Sequence, residues 1–182
     1  MTRDELIALL ENPDPLAAAQ LAGVTPGGVV TYATTSAPAD WLRESDREQP
    51  IEAHRDAHRR GIPSEAIVAY GAGVSAAHTV DRMIELAGVA RETGLLRSVC
   101  PVPGEGNAQR PGSWGVEDLV VIGIARSLMP PEVQIRPDWL HLGAAASQIA
   151  IAFGATDLVV SDDETADVEW LAGAVGYRAV PR

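Results

Sequence analysis

The sequence predicts an α/β fold in which a parallel sheet of about five strands alternates with helices. After residue 60 the chain repeats one unit four times: a short apolar strand, a loop rich in Gly, Pro or Asp, and an amphipathic helix. Such alternation is typical of right-handed βαβ crossovers and of a sheet covered on both faces. Five strands cannot close an eight-stranded barrel. The sequence therefore predicts an open sheet or a half-barrel.

The elements follow from local signals, and residues 1–182 are expected to form one domain. Thr2-x-x-Glu5 is a capping box before an apolar helical pattern, so residues 1–24 are predicted to hold the N-terminal helices. The turn TPGG then precedes VVTY, the first strand, which is placed within 28–35. Later strands are predicted at 66–71, 95–102, 132–136 and 157–161, and later helices at 76–93, 115–128, 140–153 and 165–175.

Composition removes several classes of function. A net charge of −11 disfavours nucleic-acid binding, and no apolar run approaches the roughly 20 residues of a membrane span. The 14 basic residues are all arginine, which excludes a Schiff-base or P-loop lysine. Cys100 is the single cysteine, so the chain alone cannot form a disulfide or hold a Cys-rich zinc or iron–sulfur site. The acidic N-terminus is unlike a signal peptide and favours a cytoplasmic protein.

Four segments resemble one group of radical SAM enzymes. They read IEAHRDAHRRGIPSEAIVAYG, DRMIELAGVARETGLL, DLVVIGIARSLMP and VQIRPDWLHLGAAASQIAIAFGATDL. Their order and spacing are similar to those of aminofutalosine synthase and cyclic dehypoxanthine futalosine synthase of menaquinone biosynthesis, which are related to the FO synthases. The resemblance implies a half or partial (β/α) TIM-type barrel in which residues 51–182 correspond to the second half of the barrel.

The resemblance also implies what this chain lacks. In that group the first strand leads into a CxxxCxxC loop whose thiolates bind a [4Fe-4S] cluster that reduces S-adenosylmethionine. Here residues 34–38, with the sequence TTSAP, stand at that place and contain no cysteine. The chain is then similar to a barrel that skips strands two to four. We therefore expect no cofactor, neither the iron–sulfur cluster nor S-adenosylmethionine.

Six residues are predicted to bind a ligand. Arg136, Asp138, Trp139 and His141 cluster after one predicted strand, where an arginine and an aromatic ring suit a small aromatic carboxylate. Packing of the tryptophan under the next helix explains its position equally well. By the resemblance, Tyr70 and Asn107 are retained at two other strand ends and join this set.

Three further groups have a structural interpretation beside the functional one. His54 and His58 lie four apart on a helix, which suits zinc, but capping and packing explain them better. The acidic cluster Asp162, Asp163 and Glu164 suits Mg²⁺, whereas Ser161-x-x-Glu164 is also a capping box. Cys100 is expected to be a buried, inert thiol rather than a nucleophile.

Three functional hypotheses follow. The first is a noncatalytic half-barrel that binds a ligand and forms a homodimer or associates with a full-length radical SAM relative, because sheet edges need covering. The second is a cryptic acid–base or metal-assisted enzyme that acts on a small aromatic carboxylate through residues near Asp138, His141 and Asp162. The third is a degenerate menaquinone-biosynthesis enzyme with no activity.

Overall fold

The structure is a computed structural model, and it describes residues 1–34, 37–44, 47–104, 115–161 and 164–182. Helices and strands follow one another along the chain. In order they are α1 (Arg3–Glu11), α2 (Pro15–Ala22), β1 (Val29–Ala33), β2 (Leu42–Arg43), α3 (Ile51–Arg59), β3 (Ser64–Gly71), α4 (Ala76–Thr93), β4 (Leu96–Gly104), α5 (Val116–Leu128), β5 (Gln134–Ile135), α6 (Trp139–Ala152), β6 (Asp157–Val159), α7 (Thr165–Ala174) and β7 (Arg178–Pro181).

The strands form two parallel sheets that meet at β5 and β6. One sheet has the order β2-β3-β4-β5 and the other β6-β1-β7, and every recorded strand pair is parallel. The backbone N–H of Thr156 donates to the carbonyl of Ile135, and the N–H of Ile135 donates to the Thr156 hydroxyl, both at 2.9 Å. These two bonds join the sheets into one row of strands. The predicted α/β class with a parallel sheet and alternating helices is confirmed.

The sequence analysis did not predict β2 and β7, because neither strand contains an apolar run. β2 is only two residues long, and β7 has exposed residues at both of its ends. β7 nevertheless pairs with β1 over four positions, from Val29 opposite Arg178 to Tyr32 opposite Pro181. Helix signals are stronger: Thr2 and Glu5 form the expected capping box, and α4 spans the predicted residues 76–93.

The core lies between the outer face of the strands and the helices, in two apolar clusters. The larger one joins β3, β4 and β5 to α1, α2, α4 and α5, and the smaller one joins β1 and β6 to α6 and α7. Gly123 of α5 allows close packing, since a Cβ there would lie 2.8 Å from the carbonyl oxygen of Ala18 in α2. No helix among the described residues is long and apolar enough to cross a membrane.

The free edge of β3 is closed by carboxylates. β2 pairs with β3 only at Ser64 and Glu65, which leaves later amides of β3 without a strand partner on that side. The N–H of Ile67 donates to Glu44 Oε2 at 2.6 Å, and the N–H of Ala69 donates to Glu48 Oε1 at 2.8 Å. Charged side chains on an edge hinder strand addition by another chain. A second copy would therefore find these two amides already bonded.

Candidate functional site

A cavity of about 650 Å³ opens on the inner face of the row of strands. It is lined by the middle of β4, by the residues directly after β5 and by the last residue of β6. Its apolar wall includes Trp41, Ile67, Val102, Trp139 and Val159, and its charged residues are Arg43, Glu44, Glu65, Arg136 and Asp138. An apolar cavity of this size with a few convergent polar groups is typical of a small-molecule site.

Glu65 and Arg136 line this cavity, and Arg136 also pairs with Asp157; these three charged residues are here called the charged floor. Arg136 is 4% exposed, and its guanidinium donates to the carboxylates of both other residues. Burial lowers the pKa of Arg136, and the adjacent Asp157 opposes that effect. The guanidinium is therefore already neutralised by two acids inside the protein.

Neighbouring polar groups complete the bonding of the charged floor. The hydroxyl of Ser98 donates to Glu65 Oε2 at 2.8 Å, and the hydroxyl of Thr31 donates to Asp157. Arg182 Nε lies 3.4 Å from Asp157 Oδ1. Buried charges persist when paired and hydrogen-bonded in this way. The result is a rigid polar base under an apolar wall.

The structure brings three of the predicted ligand residues to the cavity: Arg136, Asp138 and Trp139. Asp138 is also the N-cap of α6, where its Oδ1 accepts from the N–H of Leu140 at 3.0 Å. Trp139 is 3% exposed and belongs to the smaller apolar cluster, so one ring serves both cavity wall and core. Arg136 forms the floor rather than a free anion receptor.

Two other predicted residues lie away from the cavity, against α5. Tyr70 is 3% exposed in the larger apolar cluster, and its hydroxyl donates to Asp118 Oδ1. Burial raises the pKa of Tyr70 strongly. His141 Nε2 lies 3.6 Å from the same Asp118 oxygen. Glu65 and Ile67 face the cavity, so the alternation of side chains along a strand places Tyr70 on the opposite face, and its ligand role stays a prediction.

The remaining candidates divide between described and undescribed parts of the chain. Asn107, Asp162 and Asp163 lie outside the described residues, so their predicted roles stay predictions. Glu164 Oε2 accepts from the backbone N–H of Ser161 at 3.2 Å, as half of the expected capping box. Among the residues that the structure describes, no group of three or more His, Cys, Asp or Glu is placed to hold a metal ion.

The paired histidines bond to protein groups. His54 contacts Glu44 and Ser64, and His58 contacts Ser64 and Thr93. Burial chiefly, with the adjacent His54, lowers the pKa of His58 to about 4. Both side chains therefore take part in a buried polar network on the outer side of β3.

Cys100 is half-buried in the cavity wall, where burial chiefly, with the nearby Asp157, raises the pKa of its thiol. A protonated thiol is a weak nucleophile. This placement agrees with an inert thiol that faces the cavity.

Sequence reasoning missed two acids that line the cavity, Glu44 and Glu65, and a third acid, Asp157, that pairs with Arg136. Glu65 fell one residue before the predicted strand 66–71, although an acid beside a run of buried apolar residues is an unusual composition for a parallel strand. Asp157 was placed in a strand but not recognised as an inward charge. Glu44 had no local signal, because its partners are distant along the chain.

No family model matches the chain. Similar curated proteins are archaeal enzymes named 5-amino-6-(D-ribitylamino)uracil–L-tyrosine 4-hydroxyphenyl transferase. The enzyme of Archaeoglobus fulgidus is 33% identical over 114 residues, which cover 59% of this chain and 33% of the relative. Those of Methanococcus aeolicus and Methanopyrus kandleri are each 32% identical and cover 59% and 57% of this chain, and 32% and 31% of the relatives. The match spans about one third of each relative's length.

These relatives correct the expected family and pathway. The resemblance to aminofutalosine synthase and the assignment to menaquinone biosynthesis are wrong, because the similar proteins bear the name of a different transferase. At about 30% identity, this chain is similar to a part of these transferases.

Proposed function

We propose that this chain is a ligand-binding half-barrel whose cavity takes a small aromatic molecule that carries amino or hydroxyl groups. The observation that carries the proposal is the cavity of about 650 Å³, with two tryptophans in its wall and a floor whose arginine is already paired. Apolar walls with a few fixed polar groups both bind an aromatic ring and orient it.

The charges of the cavity favour hydrogen-bond donors over a carboxylate. Three acids, Glu44, Glu65 and Asp138, line it beside Arg43 and Arg136. Because Arg136 already pairs with Glu65 and Asp157, a ligand carboxylate at the floor would meet the Glu65 carboxylate and a neutralised guanidinium. A ligand with N–H or O–H groups meets acceptors instead. This reasoning replaces the aromatic carboxylate suggested by the sequence.

The relatives supply two probe molecules. Their name includes an aminouracil with a ribityl chain and L-tyrosine, and both carry an unsaturated ring with hydroxyl or amino donors. The carboxylate of L-tyrosine is balanced by an ammonium group that donates N–H bonds, which 4-hydroxybenzoate lacks. The binding role requires no iron–sulfur cluster, which the single cysteine of these 182 residues would be unable to hold alone. Acid–base catalysis by Asp138 and His141 together has no support in the geometry, since His141 lies beside Asp118.

Isothermal titration calorimetry with L-tyrosine and 5-amino-6-(D-ribitylamino)uracil tests the proposal, and 4-hydroxybenzoate serves as the carboxylate comparison. We expect saturable binding of at least one donor-rich probe, tighter than that of 4-hydroxybenzoate. Val102→Trp fills the cavity and should abolish binding, whereas Ile149→Trp, at a surface position 46% exposed, should not. Absence of binding by both probes, or unchanged binding in Val102→Trp, contradicts the proposal.

A further inference from the structure

A hydrogen-bonded chain of side chains runs from the cavity wall to the C-terminal end of α4. Glu44 Oε1 lies 2.6 Å from His54 Nε2, and His54 Nδ1 lies 2.9 Å from Ser64 Oγ. The Ser64 oxygen lies 2.8 Å from His58 Nε2, and His58 Nδ1 lies 2.8 Å from Thr93 Oγ1. All four contacts have the geometry of normal hydrogen bonds. These five residues are called the histidine relay below.

The two ends of the histidine relay meet different surroundings. Glu44 lines the cavity, whereas Thr93 is half-buried and precedes the exposed Gly94. Between them, His54 and Ser64 are fully buried. Because water cannot reach these middle groups, their protons can exchange only along the hydrogen bonds of the histidine relay or during opening of the fold.

Fixed charges hold the inner end as a carboxylate. Burial raises the pKa of Glu44, but bonds from His54, the Ile67 N–H and Arg82 outweigh burial and lower it. Arg82 Nη2 donates to Glu44 Oε1 at 2.7 Å. At the other ring, the charge of Arg97 disfavours a proton on His58. An anionic Glu44 requires His54 Nε2 to keep its hydrogen.

Two proton arrangements then satisfy every group. In the first, His54 is neutral, Ser64 donates to His54 Nδ1, His58 donates from Nε2 to Ser64, and Thr93 donates to His58 Nδ1. In the second, His54 carries both protons and donates from Nδ1 to Ser64. Ser64 then donates to His58 Nε2, and His58 donates from Nδ1 to Thr93, whose hydroxyl bonds to the Val89 carbonyl at 2.8 Å. The second arrangement holds one proton more than the first.

We propose that the histidine relay conducts one proton between solvent at the end of α4 and the cavity wall. A proton taken up at His58 Nδ1 displaces the Nε2 proton of His58 to Ser64 Oγ, and the Ser64 hydroxyl proton passes to His54 Nδ1. No atom other than this one proton enters or leaves. The positive charge appears at His54, beside the Glu44 carboxylate. The proposal depends on side-chain connectivity and is independent of which ligand the cavity takes.

The tautomer of His58 provides the test, because His58 carries its hydrogen on Nε2 in the first arrangement and on Nδ1 in the second. Long-range ¹H–¹⁵N correlation spectra of the ¹⁵N-labelled protein between about pH 5 and 9 report which nitrogen of each ring carries hydrogen. As the pH rises, we expect the histidine relay to pass from the second arrangement to the first, so that the single proton of His58 moves from Nδ1 to Nε2. A His58 that keeps one tautomer throughout overturns the proposal.

Ser64→Ala removes the middle of the histidine relay and should uncouple the rings, so that the tautomer of His58 no longer changes with pH. Thr79→Val is the matched control, since Thr79 is another buried hydroxyl, bonded from α4 to the Ala69 carbonyl at 2.8 Å outside the histidine relay. The control should keep the change of tautomer at His58. Coupling that survives in Ser64→Ala also overturns the proposal, and neither spectrum depends on ligand binding.

Discussion

The two faces of the strands differ sharply in chemistry. On the outer face, Val30, Val68, Val99 and Leu158 are at most 1% exposed and pack against helices. On the inner face, the corresponding early positions of the strands are polar: Thr31, Glu65, Ser98 and Asp157. An inner face of a (β/α)₈ barrel is usually filled by branched apolar residues.

The outer face of the strands stabilises the fold, and the inner face shapes the cavity. Burial of apolar surface on the outer face contributes favourable free energy. Buried ion pairs, such as those of Arg136, offset the cost of their desolvation only when their geometry and hydrogen bonds are complete. Apolar side chains packed in their place are often equally stabilising. The charges of the inner face therefore serve the cavity, and their bonding limits the cost.

The largest expected effect comes from the inner face. Arg136→Met removes the cation that both Glu65 and Asp157 share and leaves Asp157 only the longer contact to Arg182, so it should lower the free energy of unfolding by about 3–5 kcal/mol, measured by urea denaturation. Removing all three charges together, in Arg136→Met with Glu65→Gln and Asp157→Asn, should restore much of the loss. If the single variant is as stable as the wild type, the charged floor is not a paired unit.

On the outer face, the buried polar network of His54 and His58 in α3 should make stability depend on pH. The pKa of His58 is about 4 in the fold, against 6.5 for an ordinary histidine. Below pH 6.5 the unfolded chain binds a proton at His58 that the folded protein does not bind. The contribution of the neutral His58 ring to the free energy of unfolding is therefore fully present above pH 6.5 and is lost as the pH falls towards 4. At 1.36 kcal/mol per pKa unit, the loss reaches about 3 kcal/mol.

Unfolding by urea at several pH values between 7 and 4 measures this loss, and His58→Gln provides the comparison. The variant lacks the titrating ring, so its stability should fall less over the same range. If the free energy of unfolding falls equally with pH in both proteins, the pH dependence comes from groups other than His58.

The sequence predicts outer-face features better than inner-face ones, and the reason is physical. Helical periodicity and caps are local signals, so α4 was predicted over its observed span 76–93. The charged floor depends on partners far apart along the chain, such as Arg136 and Glu65, which no local pattern reveals. Arg136, Asp138 and Trp139 line the cavity together because they follow one strand, whereas Tyr70, included by the resemblance, lies on the other face of β3.

A third prediction tests how closely the outer face is packed. Gly123→Ala places a Cβ 2.8 Å from the Ala18 carbonyl oxygen, which should push α2 away from α5 and cost about 2 kcal/mol of stability. Gly88→Ala is the matched control in α4, where a Cβ meets nothing within 4 Å and should stabilise the helix by about 0.5–1 kcal/mol. A neutral Gly123→Ala would mean that α2 and α5 separate freely.

The smallest expected effect separates the two faces at a single residue. Tyr70→Phe removes the hydroxyl that donates to Asp118, a buried carboxylate that also accepts from the Gly115 N–H at 3.0 Å. A hydrogen bond to a charged group contributes about 1.5 kcal/mol, so the free energy of unfolding should fall by about that amount. Affinity for L-tyrosine or the aminouracil should not change, because the tyrosine lies on the far side of β3 from the cavity.

Trp41→Ala provides the contrast, since it shortens the cavity wall and should weaken ligand binding with a small effect on stability. Urea unfolding and calorimetry on the two variants therefore give opposite patterns if the two faces act separately. A Tyr70→Phe protein that loses affinity as Trp41→Ala does would show that the ligand reaches the layer between β3 and α5. In that case Asp118 and His141, rather than the charged floor, would define the polar part of the site.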